Sequence, residues 1–312
     1  MLKFCPVCSG SFNDYDPRSI PYPSLGHNGF VKKPSSIIFC KNCHAGIAYP
    51  GFTDEELAGI YFKGYYPKDS KASVILPKVN PGHYALAKGR WDYVKQFTKK
   101  GSAREVLSIL DVGGGHGFFG VAAAKDKLPS LKEYCVIEKD KSLRDSLTIT
   151  WRKEFQGIDF SVRDSLSNAG GKYDLIVFSH ILEHLNEPGR ILKEAASKLN
   201  EKGLIFADVP NQDYLFKENV FPHLLFFDKI SLEGLFKING FDLIDIESFG
   251  FDRSRKPSIK KSFVNKAEGF LYKMRYFLPE ELLSVAFSRI LKVSKKNTDG
   301  AWLRVIACIK EN

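Results

Sequence analysis

Apolar and polar positions alternate in a regular order through the middle of the chain. Five short apolar runs lie there, at 106–112, 134–137, 158–162, 175–178 and 204–209. The stretches between most of them have helical spacing, and two helical signals, at 187–199 and 229–238, end near Gly203 and Gly240. Two later apolar runs, 241–246 and 302–309, bring the predicted strands to seven. We predict an α/β fold with a parallel sheet covered by helices on both faces.

The regions outside this alternation have other patterns. Helical stretches broken by glycine and proline, with many aromatic side chains, favour a helical cap at 53–100. Between 251 and 299, two apolar stripes at helical spacing, Phe263 to Phe277 and Leu283 to Ile290, predict two amphipathic helices. We predict four units: a four-cysteine module at 1–52, a helical cap at 53–100, a sheet domain at 101–250 and 300–312, and a helical insertion at 251–299.

The positive charge of the chain is concentrated in the insertion. The net charge is +10, and 251–299 contains 12 Lys/Arg against 5 Asp/Glu. Three roles fit a basic pair of amphipathic helices: a lid, a peripheral contact with anionic lipid at the inner face of a membrane, or an oligomer interface. No apolar run approaches the roughly 20 residues that span a bilayer, and the start of the chain lacks the apolar stretch of a signal peptide. We therefore expect a cytoplasmic protein, of an oligomeric state that the sequence does not determine.

Four of the six cysteines form two C-x-x-C pairs. Cys5 and Cys8 are separated by 31 residues from Cys40 and Cys43, and an aromatic residue precedes each pair. Paired thiolates at this spacing can bind one tetrahedral zinc ion, whereas a redox-active pair would need a thioredoxin-like context. We predict a structural Zn²⁺ site, because four cysteine ligands leave no open position for water or substrate.

A glycine-rich loop follows the first strand of the predicted sheet and opens a helix. Glycines at this position let the backbone approach a ligand closely, and the helix N-terminus offers free N–H groups to an anion. The spacing Gly115-x-Gly117-x-x-Gly120 also fits a dinucleotide fingerprint. Glu138, at the end of the second strand, is placed to accept the two hydroxyls of a ribose in either class of cofactor. The loop and Glu138 by themselves do not distinguish NAD from S-adenosylmethionine as the cofactor.

Three further features resemble class I S-adenosylmethionine-dependent methyltransferases, whose sheet is seven-stranded and Rossmann-like. The run Asp111-x-Gly113-x-Gly115-x-Gly117 resembles their first motif, in which the carboxylate anchors the loop near the methionine amino end of the cofactor. Asp164 matches the position that holds the adenine amino group. The segment 173–185, which includes Ser179 and ends in Glu-His-Leu, looks like the fourth strand of the family and its continuation. The resemblance implies that these residues and Glu138 bind S-adenosylmethionine.

A finer resemblance concerns the acceptor. The cysteine module, the aromatic segment Tyr61 to Tyr66 and the segment 222–227 look like bacterial methyltransferases of sugar and polysaccharide biosynthesis. Sugar C-methyltransferases carry a tyrosine and a carboxylate that are missing around His223, and a further C-terminal domain. The resemblance therefore implies O- or N-methylation, rather than C-methylation, of a sugar, nucleotide-sugar or lipid-linked glycan.

Histidines are the predicted catalytic residues. Methyl transfer from a sulfonium is an in-line displacement that needs alignment, together with a base if the nucleophile is a hydroxyl. His223 follows the fifth strand, where this fold places substrate groups, and His184 is the second candidate. The alternative for either histidine is a structural role, in which it only holds a loop by hydrogen bonds. His180-x-x-Glu183-His184 also matches an inverted zinc-protease motif, but it directly follows a buried strand, which disfavours that interpretation.

Other classes of function compete with this prediction. An RNA methyltransferase would combine a zinc module with a basic surface, but the cysteine region is not especially basic and no base-methylating signature follows the fourth strand, which argues against nucleic acid. Another small-molecule methyltransferase is a further alternative. A scaffold in glycan assembly would not require Asp111, Glu138 and Asp164, which favours an enzyme.

Overall fold

The computed structural model describes most of the chain. The described residues are 4–11, 15–24, 34–62, 80–98, 106–126, 131–253, 267, 269–291 and 299–311. Tyr65 and Tyr66 of the aromatic segment lie outside these residues, and so do Phe263 and the side chain of Tyr61.

The main sheet has seven strands in the order β10-β11-β8-β7-β4-β5-β6. The strands are β4 (Ser108–Val112), β5 (Glu133–Ile137), β6 (Asp159–Arg163), β7 (Tyr173–Ser179), β8 (Leu199–Pro210), β10 (Phe241–Asp252) and β11 (Gly300–Ile309). Five of them pair in parallel, and β11 lies antiparallel between β8 and β10. The chain runs outward from β4 through β5 to β6 and then returns to the other side of β4 at β7. In open sheets such a switch point is where the carboxyl ends of the strands form a ligand crevice.

Helices cover both faces of this sheet. They are α2 (Pro81–Val94), α3 (Phe118–Lys125), α4 (Lys141–Glu154), α5 (Pro188–Ala196) and α6 (Lys229–Ile238). Successive strand residues point to opposite faces, so Ile109 and Leu110 belong to two separate apolar clusters although both are fully buried. The structure confirms the predicted α/β, Rossmann-like seven-stranded sheet.

The cysteine region forms a second, four-stranded antiparallel sheet. Its strands are β1 (Tyr15–Pro21), β2 (Ser36–Cys40), β3 (Gly46–Tyr49) and β9 (Leu225–Phe226), in that order. The short strand β9 comes from the segment directly after His223, between the main-sheet strands β8 and β10. The cysteine module is therefore joined by main-chain hydrogen bonds to the segment between β8 and β10, which sequence periodicity did not predict.

Two helical parts of the outer segments were predicted. The cap begins with α1 (Asp54–Phe62), and the insertion contains helical residues 269–274 and the helix α7 (Glu280–Leu291). Leu283 and Phe287 of α7 pack in a small apolar cluster with Ala85 of α2. Phe270 and Phe277 are 62% and 80% exposed, so the first predicted stripe does not form a core with the described residues. None of the helices described is long and apolar enough to cross a bilayer. The lid, membrane-contact and interface roles stay predictions.

Candidate active site

A cavity of about 780 Å³ opens at the carboxyl ends of β4 to β7. Six residues that the sequence singled out line it: Gly113, Glu138, Asp164, Ser179, His184 and His223. The cavity therefore joins the predicted cofactor residues to the predicted catalytic histidines.

The glycine loop has a backbone that other residues would strain. Gly113, Gly115 and Gly117 have φ of 68°, 53° and 69°, in the left-handed region that favours glycine. A Cβ on Gly113 would lie 2.0 Å from Cδ1 of Ile181, so the space beside the loop is filled as well. Gly117 then caps the N-terminus of α3. The loop forms a cradle in which a ligand can contact backbone directly.

Asp111 lies beneath this cradle and is not part of the cavity wall. Its side chain is 2% exposed and accepts a hydrogen bond from the Tyr134 hydroxyl at 2.6 Å. Burial raises the pKa of Asp111 to about 6, against the effects of the Tyr134 hydrogen bond and the Arg90 charge. The carboxylate therefore supports the loop from below, a placement that agrees with an anchoring role.

Glu138 and Asp164 stand on the cavity wall at the ends of β5 and β6. Glu138 is 8% exposed, and its Oε1 accepts a hydrogen bond from the Asp140 amide at 2.9 Å. Burial raises the pKa of Glu138. Asp164 is exposed and accepts a hydrogen bond from Asn168 at 2.8 Å, which lowers the pKa of this carboxyl. The cradle and the two carboxylates suit a ligand that presents ribose hydroxyls and an adenine amino group.

The two predicted catalytic histidines also line the cavity, and they lie against each other. Their ring centroids are 4.7 Å apart, and the side chains of His184 and His223 are 10% and 11% exposed. Nδ1 of His223 lies 3.1 Å from Oδ2 of Asp213, which is 1% exposed. Burial lowers the pKa of His184 to about 4, so this imidazole is neutral over the physiological range. Donor atoms of Glu183, His184 and His223 all lie within 4.8 Å of one another.

A series of charged side chains leads from this cluster through His180 and Asp208 to Arg90. Nδ1 of His180 lies 3.1 Å from Oε1 of Glu183, and its Nε2 lies 3.1 Å from Oδ1 of Asp208. Asp208 also accepts a hydrogen bond from Nε of Arg90 at 2.8 Å. Although burial favours the neutral ring, Asp208 and Glu183 raise the pKa of His180 to about 9. His180 precedes a short 3₁₀ turn, Leu182–His184, so the helical geometry of a zinc-protease motif is not formed.

The cysteine sheet holds the segment that carries His223. The Tyr22 hydroxyl donates to the His223 carbonyl at 2.9 Å, and the Ala48 amide donates to the Leu224 carbonyl at 2.8 Å. On the other side, the Leu224 amide donates to the Glu183 carbonyl at 2.8 Å. The segment of His223 is therefore held by hydrogen bonds to the cysteine module on one side and to the turn of Glu183 on the other.

The four predicted metal ligands meet at one point of the cysteine module. Sγ of Cys5 lies 3.7 Å from Sγ of Cys43, Sγ of Cys8 lies 3.6 Å from Sγ of Cys40, and all four sulfurs lie within 4.8 Å of one another. A tetrahedral zinc with Zn–S bonds of about 2.3 Å places its sulfurs about 3.8 Å apart. The donor set and its spacing fit a zinc ion.

Several functional residues were missed by sequence reasoning. Asp213 lies beside His223 and Asp208 beside His180, and Arg90 pairs with Asp208; these contacts form only in the folded structure. The one local signal was their position: Asp208 lies near the carboxyl end of a predicted strand, where this fold gathers functional groups.

Curated relatives bear on the acceptor. The chain is 27% identical over 135 residues to a ubiquinone biosynthesis O-methyltransferase of Caulobacter vibrioides, a match that covers 41% of this chain and 51% of the relative. A mitochondrial ubiquinone biosynthesis O-methyltransferase of Saccharomyces cerevisiae is 27% identical over 121 residues, covering 36% of each chain. The chain thus spans about half or less of the length of these relatives.

These relatives correct the predicted acceptor. The prediction of a sugar, nucleotide-sugar or lipid-linked glycan is wrong, because the matching enzymes are named for ubiquinone biosynthesis. The prediction relied partly on the segment 222–227. In the structure, its apolar residues Leu225 and Phe226 form β9 and are buried against the cysteine sheet. Their pattern therefore reflects packing between the two sheets, and it carries no information about a sugar.

Solved structures with similar folds include the plantazolicin methyltransferase BpumL in complex with SAH, at 15% identity and a TM-score of 0.48, with 82% of this chain and 94% of that chain covered. Another is a magnesium protoporphyrin IX methyltransferase from Synechocystis, also with bound SAH, at 12% identity and a TM-score of 0.46, with coverage of 81% and 92%.

The profile of the family described as "Methyltransferase domain" matches residues 83–246, more than half of the chain. This match shows that the chain belongs to the methyltransferase domain family.

Proposed function

We propose that this methyltransferase transfers a methyl group to a hydroxyl oxygen of an aromatic, quinol-type acceptor. The observation that carries the proposal is the single cavity that contains both the cofactor wall and the histidine cluster. The names of the ubiquinone-pathway relatives support an oxygen acceptor on a ring. Apolar side chains on the cavity wall, among them Leu57, Ile181 and Leu185, offer a surface for such a ring.

The residues divide into two groups in this proposal. Gly113, Glu138, Asp164 and Ser179 hold the cofactor, with Asp111, Gly115 and Gly117 shaping the loop from outside the cavity wall. S-Adenosylmethionine supplies an electrophilic methyl group on a sulfonium. His223 and His184 face the acceptor and activate its hydroxyl, and Asp213 orients the imidazole of His223. A neutral imidazole suits this task because it can take part in removing the hydroxyl proton.

Cofactor binding tests the first group. Replacing Glu138 with alanine is expected to weaken S-adenosylmethionine binding by about tenfold to a hundredfold, since hydrogen bonds to a charged group contribute about 1.5–3 kcal/mol. Calorimetric titration of the purified protein measures this effect, with NAD as the competing cofactor. Glu201→Ala, which changes an exposed carboxylate of β8 outside the cavity lining, is the control and should leave the affinity unchanged. Binding of NAD alone would overturn the proposal.

Turnover tests the second group. We expect His223→Asn to lower kcat by about a hundredfold or more, the usual contribution of a group that assists proton transfer. Its affinity for S-adenosylmethionine should stay unchanged, because His223 lies at the acceptor end of the cavity. Single-turnover transfer of labelled methyl to catechol and to hydroxylated benzoquinols gives the rate. Equal rates for the variant and the wild type would show that His223 only holds its loop.

We further infer that Cys5, Cys8, Cys40 and Cys43 hold a structural Zn²⁺. Sulfur spacings near those of a tetrahedral site support this proposal. Three of the four cysteines are buried. Because the four cysteines together supply four ligands, the site has no open coordination position for catalysis.

A further inference from the structure

We propose that His180 is a positioning residue for methyl transfer, which keeps the carboxylate of Glu183 ionised beside the two histidines of the proposed function. The proposal rests on that function and deepens it, because it states what makes the two histidines basic enough to take a proton. His180 lines the cavity, but each of its ring nitrogens lies 3.1 Å from a carboxylate oxygen. It therefore acts through its neighbours rather than on the acceptor.

Backbone and side-chain contacts fix the ring of His180 between two carboxylates. Its amide donates to the Asp208 carbonyl at 2.8 Å, which continues the pairing of β7 with β8. Its φ of 55° lies in the left-handed region, which histidine and asparagine enter more readily than most residues. Nδ1 lies 3.1 Å from Oε1 of Glu183, and Nε2 lies 3.1 Å from Oδ1 of Asp208. The side chain therefore bridges β8 and the turn that carries His184.

Among the described residues, His180 is the only cation that pairs with Glu183 at neutral pH. Glu183 is 1% exposed, and its ion-pair partners are His180 and, at 3.9 Å, His184. Burial lowers the pKa of His184 to about 4, so that ring is neutral. Burial alone would raise the pKa of Glu183, but the hydrogen bond with His180 lowers it. Because an unpaired buried carboxylate takes up a proton, loss of His180 would neutralise Glu183.

The positive charge of His180 is itself stabilised from two sides. Although burial opposes the charged ring, Asp208 and Glu183 raise the pKa of His180 to about 9. Asp208 also accepts a hydrogen bond from Nε of Arg90 at 2.8 Å. Charges therefore alternate in sign along the four side chains of Arg90, Asp208, His180 and Glu183. Each charge lies beside one of opposite sign, which offsets the cost of burying it.

The other groups near Glu183 are the two histidines that it serves. Its Oε1 lies 3.9 Å from Nε2 of His184, and donor atoms of Glu183, His184 and His223 all lie within 4.8 Å of one another. On the far side of His223, Oδ2 of Asp213 lies 3.1 Å from Nδ1 of the ring and 2.9 Å from Nζ of Lys217. The nearest negative charge to His184 is therefore that of Glu183.

An ionised Glu183 makes this cluster a better base. The acceptor hydroxyl gives its proton to an imidazole nitrogen, and the nearby carboxylate stabilises the imidazolium that forms. The acceptor oxygen uses a lone pair to form a bond to the methyl carbon, while the carbon–sulfur bond breaks and its electron pair stays on sulfur. The imidazolium then gives its proton to water. A protonated Glu183 would give the imidazolium no such stabilisation.

The pH dependence of His180→Asn tests the proposal. Asparagine is neutral and fits the left-handed backbone. Single-turnover methyl transfer to catechol is compared with the wild type between about pH 6 and about pH 9, the range in which a buried glutamate without a cation titrates. We expect the variant to be about tenfold to a hundredfold slower near the acid end. Because its Glu183 ionises as the pH rises, the ratio of the variant rate to the wild-type rate should increase by about tenfold.

Two comparisons isolate the effect of His180. His44→Asn is the matched control, since His44 has a φ of 64°, is exposed and lies outside the cavity lining, and its rate should equal the wild type at every pH. Glu183→Gln should be slow without recovery at high pH. Adding His180→Asn to Glu183→Gln should cause little further loss, because the two residues act as a unit. Losses that simply multiply would contradict the proposal.

The remaining outcomes are also decisive. A rate ratio that stays constant with pH would overturn the proposal and show that His180 only holds the turn in place. Imidazole ¹⁵N NMR of the wild type, which has seven histidines, measures the charge of His180 directly, and a neutral ring near pH 7 would overturn the proposal even if His180→Asn did not fold. S-Adenosylmethionine affinity, measured on the same samples, reports folding. A wild type with a protonated His180 that methylates no hydroxyl acceptor would overturn the proposed function instead.

Discussion

Replacing Gly120 with alanine is expected to lower the free energy of unfolding by about 3 kcal/mol, at the upper end of the usual cost of overpacking a core. A Cβ at this position, in α3, would lie 2.4 Å from two ring atoms of Tyr134. Tyr134 is fully buried beneath the helix, so the ring has no free space to move into. Its hydroxyl also donates to Asp111, so any shift of the ring disturbs the cofactor loop as well. Urea denaturation gives the stability, and calorimetry should show weaker S-adenosylmethionine binding.

Gly234→Ala is the matched control for this change. Gly234 lies in α6, and a Cβ there would meet no atom within 4 Å. Alanine is favoured over glycine in a helix by about 1 kcal/mol, so this variant should be slightly more stable than the wild type. Equal stability of Gly120→Ala and Gly234→Ala would contradict the close packing of α3 on β5.

Loss of Cys40, one of the four proposed zinc ligands, is expected to have the second large effect. Structural zinc sites contribute about 10–16 kcal/mol of binding free energy to folding, so Cys40→Ser should lose its metal and unfold the cysteine sheet. Because β3 pairs with β9 and Tyr22 donates to the His223 carbonyl, His223 should then lose its fixed position. We expect zinc content to fall to background and kcat to fall sharply. Affinity for S-adenosylmethionine should change little, since the cofactor wall belongs to the main sheet.

Cys308→Ser separates this effect from the chemistry of cysteine in general. Cys308 lies on β11, far from the module in sequence, and its Sγ makes only a long contact of 3.9 Å to the Asp242 carbonyl. Zinc content, measured by plasma mass spectrometry, and kcat should match the wild type in this variant. Unchanged zinc content in Cys40→Ser would argue against a four-cysteine site. Unchanged turnover in a zinc-free Cys40→Ser would show instead that the module does not position His223.

Much of the cofactor site was predictable because its parts are local. Gly113, Gly115 and Gly117 adopt left-handed backbone angles, and Glu138 ends the next strand, so both features follow directly from sequence order. The carboxyl ends of neighbouring parallel strands meet at one edge of a sheet, which brings Asp164 and Ser179 to the same cavity. The acceptor end was only half predictable. His184 and His223 were singled out, but Asp213, which lies beside His223, was not. The pair of Asp208 and Arg90 beside His180 was not predicted either.

The sequence by itself determined the seven-stranded α/β sheet, the glycine cradle and the grouping of the four cysteines. These features depend on hydrophobic periodicity and on the spacing of a few residues, both of which are local properties of the chain. The tertiary structure alone decided that β9 joins the cysteine sheet, and that Glu183 and His223 face each other although 40 positions separate them in the sequence. Such contacts depend on strand pairing and on the approach of buried polar side chains from segments that are distant in the sequence. No local pattern predicts these contacts, because the two partners of each contact lie in distant segments of the sequence.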